Sequence, residues 1–143
     1  MKSKLISNLA PSLDAISKKY IKAIYAKGYS NISNMTLEEV RENFACFEND
    51  SDFSKISIDD QIYSYKIFKS FSKSNNLIIY LHGGAYVLRH DKQNNKVCSK
   101  LANQLNANIL LLHYSLSPES KFPTAVNEVT KFIKNIDKIK NKF

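Results

Sequence analysis

The sequence is poor in the residues that staple a chain, bind metals or read phosphates. Its 143 residues include two cysteines, Cys46 and Cys98, with no C-x-x-C spacing. That excludes a disulfide framework and a cysteine metal site. Two buried free thiols are the expectation, which fits a reducing cytoplasm. Arginine is scarce as well: of 21 basic side chains only Arg41 and Arg89 carry a guanidinium. The formal net charge of +8 is therefore lysine charge. It lacks the forked donors that read bases and phosphates bidentately, so no nucleic-acid partner is expected. No apolar run approaches the length of a bilayer span, and no stable membrane insertion is expected. The basic N-terminus is interrupted by Ser7 and Asn8 before a signal-peptide core forms. Glycine occurs three times, at Gly28, Gly83 and Gly84, and nowhere after that.

What is present suits a packed domain, with 43% hydrophobic residues. Ile16, Tyr20 and Ile24 recur at helical spacing between Pro11 and Lys27, with Gly28 as a stop. Thr36-Leu37-Glu38-Glu39 has the form of a capping box, opening a second helix with Leu37, Val40, Phe44 and Phe47 on its apolar face. From Phe53 the pattern turns to strand. Residues 55–58 alternate, Asp59-Asp60 breaks the run, and Ile62 to Phe68 is rich in β-branched and aromatic side chains, which together read as a hairpin. Leu77-Ile78-Ile79-Tyr80-Leu81 is a continuous apolar run, the pattern of a strand buried on both faces of a parallel sheet. A helix over about 91–105 and a second buried strand at 108–113 complete a βαβ unit. A last helix is expected over 123–140, with Ala125, Val129, Phe132, Ile136 and Ile139 inward. The domain reading is residues 1–50 as N-terminal helices and 51–143 as an α/β core.

The chemically informative segment is Tyr80-Leu81-His82-Gly83-Gly84-Ala85-Tyr86. Paired glycines directly after a buried strand free the backbone to take positive φ and to approach another group closely. Such a loop can aim successive N–H groups at one point, as stabilisation of a carbonyl oxygen during acyl transfer requires. Downstream, Tyr114-Ser115-Leu116-Ser117-Pro118-Glu119 precedes Phe122-Pro123-Thr124-Ala125. Together these segments resemble the hormone-sensitive-lipase-like carboxylesterases of the α/β-hydrolase fold. Their strings are an HGGG-type oxyanion loop and Tyr-Arg-Leu-Ala-Pro-Glu followed by Phe-Pro-Ala-Ala. Here Ser115 stands for the usual arginine, Ser117 for the usual alanine and Ala85 for a third glycine.

The resemblance implies an oxyanion hole from Gly83, Gly84 and Ala85, with Gly83 setting the turn. It makes His82 a structural support for the loop and gives Tyr114, Pro118 and Glu119 supporting roles. It implies a small acyl-ester substrate in the complete enzyme, and neither a metal nor an organic cofactor. It also implies what the chain does not carry. With no glycine after Gly84 there is no G-x-S-x-G, hence no catalytic serine in its elbow, and the acid and histidine would follow later still. His90 reads as solvated, and His113 reads as a packed residue at a strand end. The expectation is an incomplete α/β-hydrolase fold: cap helices, a hairpin, and a βαβ unit with a following helix. It would lack the elbow strand and all that comes after. As a truncated or split ester hydrolase it would be inactive alone, with a complementary C-terminal fragment as its partner and strand 77–81 left as an exposed apolar edge. The competing reading is a non-catalytic half-domain, a pseudoenzyme retained to bind a protein partner.

Overall fold

A computed structural model describes residues 34–44 and 52–138 of the chain. The helix expected at 11–27, the side chains of Cys46 and Phe47, and Ile139 lie outside these residues. The chain divides into two compact units, Met1–Val40 and Arg41–Phe143. In the first, Thr36 opens helix α1 (Leu37–Phe44), which runs on across the division. The capping box forms reciprocally: the Glu39 amide donates to Thr36 Oγ1 at 3.3 Å, and the Thr36 amide donates to Glu39 Oε2 at 2.7 Å.

The second unit is built on one mixed sheet. Its strands are β1 (Ser54–Ile58), β2 (Gln61–Phe68), β3 (Leu77–Leu81) and β4 (Asn108–His113), in the order β1-β2-β4-β3. β1 and β2 form the antiparallel hairpin, with Ile58 paired to Gln61 across Asp59-Asp60. Both turn residues have positive φ, 46° and 64°. That is the backbone of a type I′ turn, whose twist matches the flanking strands. β2 pairs antiparallel with β4, and β3 pairs parallel with β4.

Helices α2 (Asp91–Gln104) and α3 (Thr124–Lys134) pack on opposite faces of this sheet. The alternation along β4 sorts its side chains. Leu110 and Leu112 join Ile58, Tyr63, Tyr65 and Phe132 of α3 on one face. Ile109 and Leu111 join Phe53, Cys98 and Ala102 of α2 on the other. Each fully buried Leu or Ile contributes about 1.5–3 kcal/mol by leaving water, so β4 is the axis of the core.

One element bears out the sequence reading and one differs from it. β3 is the half-exposed apolar edge that was expected, because among the described residues only β4 flanks it; Ile78 is 38% exposed and Leu81 45%. α3 ends at Lys134, short of the expected 140. Asn135 stops it, donating its backbone N–H to Phe132 O and its side-chain amide to Lys131 O at 2.9 Å. A short 3₁₀ turn follows over 136–138. No helix among the described residues is long and apolar enough to cross a membrane.

Candidate functional site

Where β3 ends, the backbone must reverse toward α2, and glycine decides how. Gly84 has φ 130°, and a Cβ placed there would lie 2.1 Å from the Leu88 carbonyl oxygen. That oxygen sits close because Gly84 O accepts the amides of Val87 and Leu88, at 3.0 and 2.9 Å. The tight turn is thus set at Gly84; Gly83, by contrast, would have room for a side chain. Ala85 and Tyr86 follow in the left-handed region, at φ 53° and 60°. Each carries a steric penalty of about 1–2 kcal/mol that the surroundings must offset.

The consequence is a set of unused donors. The amides of Gly83, Gly84 and Ala85 meet no acceptor among the described residues. The same three residues line an open cleft of about 440 Å³, together with Leu81, His82, Tyr86, Tyr114 and the Ala125, Val126, Val129 and Thr130 face of α3. Successive amides in such a turn form a concavity suited to an anion.

His82 supports the loop from beneath. It is 3% exposed, and its ring lies parallel to that of Tyr114, 7° apart in plane and 4.3 Å between centroids. Its Nδ1 is 2.9 Å from Gly83 O; because a carbonyl only accepts, the network assigns the proton to Nδ1. The Tyr114 hydroxyl donates to His82 O. Burial, above all, holds the imidazole below its usual pKa, so it remains neutral at physiological pH. A ring so engaged acts as a prop for the loop.

Glu119 is exposed but not idle. Arg41 grips it through both terminal nitrogens, at 2.6 and 2.9 Å, and this holds its pKa down to about 2. The same guanidinium donates to Ser117 O at 2.9 Å and, through Nε, to Val87 O at 3.2 Å. Pro118 lies between these contacts, exposed in the loop. Ser115, at the position of the family arginine, donates its amide and hydroxyl to Glu128 of α3, at 2.8 and 2.6 Å.

Arg41 was not legible in the sequence as part of the site, because its partner lies 78 residues away. A second group was missed for the same reason. Asp91, fully buried, meets Arg89 Nε at 2.9 Å and His113 Nε2 at 3.2 Å, and His113 also packs on the Phe53 ring. This confirms His113 as a packed residue; His90, at the start of α2, is exposed.

A sequence profile of the α/β-hydrolase fold family matches residues 78–143, from β3 onward. A protein of Acanthamoeba polyphaga mimivirus described as an α/β-hydrolase is 27% identical over 125 residues, covering 82% of this chain and 36% of the relative. The hormone-sensitive lipase of Bos taurus is 38% identical over 56 residues, covering 39% of this chain and 7% of the lipase. A solved arylesterase superposes with a TM-score of 0.72 at 21% identity, covering 91% of this chain and 46% of the other. The chain therefore spans less than half the length of the proteins it matches.

Proposed function

We propose that the Gly83–Ala85 loop is the oxyanion hole of a carboxylic ester hydrolase: residues 78–143 match the α/β-hydrolase fold family, and a hormone-sensitive lipase and an arylesterase are among the proteins this chain resembles. The observation that carries this reading is the pair of unused amides at Gly84 and Ala85, set on the wall of an apolar cleft. An ester carbonyl seated there would direct its oxygen at the two N–H groups. As a nucleophilic hydroxyl adds to the carbonyl carbon, negative charge gathers on that oxygen and both bonds strengthen. When the tetrahedral intermediate collapses, the alcohol leaves and the carbonyl re-forms. One such donor accounts for about 2.7–4 kcal/mol of barrier lowering.

The attacking hydroxyl has to come from outside these 143 residues, whose sequence contains no G-x-S-x-G. Acting alone, the chain would bind the acyl group without cleaving the ester. A second reading, a non-catalytic module that holds a protein partner, draws on the exposed apolar edge of β3 at Ile78 and Leu81.

A chimera separates the two. Residues 78–143 replace the matching segment of the solved arylesterase, whose own nucleophile is retained. The expected result is hydrolysis of p-nitrophenyl butyrate that falls at least about 100-fold when Gly84 becomes alanine. A chimera that folds with the thermal transition of its parent, yet leaves the ester intact, would reject the hydrolase reading and favour the binding module.

A further inference from the structure

The direction of the Gly84 and Ala85 amides depends on torsions that the loop does not hold by itself. Upstream, β3 and the Gly84 turn fix the chain. Downstream, the left-handed pair Ala85-Tyr86 leads into two carbonyls, Tyr86 O and Val87 O, and each is gripped from elsewhere. The Ser117 amide donates to Tyr86 O at 2.7 Å. Arg41 Nε donates to Val87 O at 3.2 Å, while the rest of the guanidinium binds Ser117 O and both oxygens of Glu119.

We propose that Arg41 is a positioning residue for the oxyanion loop: its guanidinium ties Val87 O to the Ser117–Glu119 loop and so fixes where the Gly84 and Ala85 amides point. The chemistry demands arginine. The planar fork meets one carboxylate with two parallel bonds and still has N–H groups for two carbonyls lying in other directions. A lysine ammonium at the same place is a point charge and cannot satisfy all three partners at once. Without Arg41 the Val87 carbonyl is untethered, and apart from the turn's own bonds to Gly84 O one hydrogen bond, Ser117 N–H to Tyr86 O, is left to hold a strained segment. The value of the clamp to catalysis rests on the oxyanion reading above; its effect on the loop does not.

The test uses the full 143-residue chain labelled with ¹⁵N. Amide exchange is followed at Val87 and Leu88, which donate to Gly84 O, and at Ile109 to Leu112 of β4 as the reference. Sodium butyrate serves as the anion probe, since its carboxylate oxygen mimics the charge of the intermediate. R41M and R41K are each expected to speed exchange at Val87 and Leu88 about tenfold or more, with β4 unchanged, because opening of the loop is local. Butyrate affinity should fall by a similar factor, and E119Q should lie between these variants and the original chain. Should R41M unfold, R41K and E119Q carry the same comparison.

Unchanged loop exchange in R41M would overturn the proposal. So would full recovery of both readouts in R41K, or acceleration at β4 in step with the loop, which would reduce Arg41 to a general stabiliser. If the original chain shows no response to butyrate while loop exchange still follows Arg41, the clamp stands and the oxyanion reading falls.

Discussion

Among the described residues two turns place consecutive non-glycine residues in the left-handed region, and they manage it by different means. In the hairpin the residues are Asp59 and Asp60, both exposed. Aspartate visits this region more readily than most residues, and the paired strands β1 and β2 close the turn from either side. The outside contacts at this turn are weak: surface pairs of Asp59 with Lys131 and Lys138, at 3.5 and 3.8 Å, and a long bond from Lys131 to Asp59 O at 3.4 Å. In the loop after β3 the residues are Ala85 and Tyr86, which have no such tolerance. That conformation is imposed from outside, by Gly84, by the Ser117 amide and by Arg41. A turn that only reverses the chain is written in its own residues. A turn that leaves amides unused is written in its neighbours, and strain of this kind is what functional loops commonly store.

The largest effect should come from removing the one residue the loop cannot do without. G84A puts a methyl into the Leu88 carbonyl, and we expect it to cost about 2–3 kcal/mol in denaturant unfolding and to expose the Val87 and Leu88 amides. G83A, where no atom lies within 4 Å of the added carbon, should be nearly silent. Equal losses from the two variants would break the comparison.

Next come two pH effects that arise at the loop, one local and one read in the stability of the whole chain. The Glu119 carboxyl is held at about 2 when folded against an ordinary 4.5, so its stabilisation is present above 4.5 and is lost as pH falls toward 2. Loop amides should open over that acid window before β4 does, and E119Q should abolish the pH dependence. His82 is lowered from 6.5 by burial, so the unfolded chain takes up the proton first. Stability should be full above 6.5 and decline as pH falls through it. Thermal scans between pH 8 and 5 on the original chain and on H82Q would show this, with the decline reduced in the variant.

The smallest effects concern the strain itself. A85G should relieve the left-handed penalty and, after the added freedom of the unfolded chain, stabilise by about 0.5 kcal/mol. D60G should gain only a few tenths, roughly 0.2–0.3 kcal/mol, because aspartate is already tolerated there. A larger gain at Asp60 than at Ala85 would reverse the ranking of the two turns. Chevron or equilibrium urea curves resolve differences of this size when the variants share one slope.

Much of the fold was legible because its signals are local. The capping box of Thr36 and Glu39, the hairpin around Asp59-Asp60 and the βαβ unit are each encoded within a few residues of where they form. The apolar runs of β3 and β4 were equally legible as strands, and the exposed edge at β3 followed from its neighbours rather than from its own residues: β4 is buried throughout with a strand on either side, while β3 has one strand beside it among the described residues. The end of α3 was misplaced because the apolar periodicity continues through Ile136, while the stop comes from the side-chain bond of Asn135 to Lys131 O. In the site, His-Gly-Gly was visible at once. The roles of its two glycines were not, since only the packed turn shows that Leu88 O crowds Gly84 and leaves Gly83 open. Arg41 with Glu119, and Asp91 with His113, are partnerships across the fold and carry no periodicity.

The central claim is that the amides after β3 receive a negatively charged acyl oxygen. The most direct measurement is a sodium butyrate titration of the ¹⁵N-labelled chain, read residue by residue at neutral pH. Saturable shifts concentrated at Gly83, Gly84 and Ala85, and absent at Asp59 and Asp60, are the predicted result. Shifts spread evenly over the lysine-rich surface, with the loop amides unmoved, would contradict it.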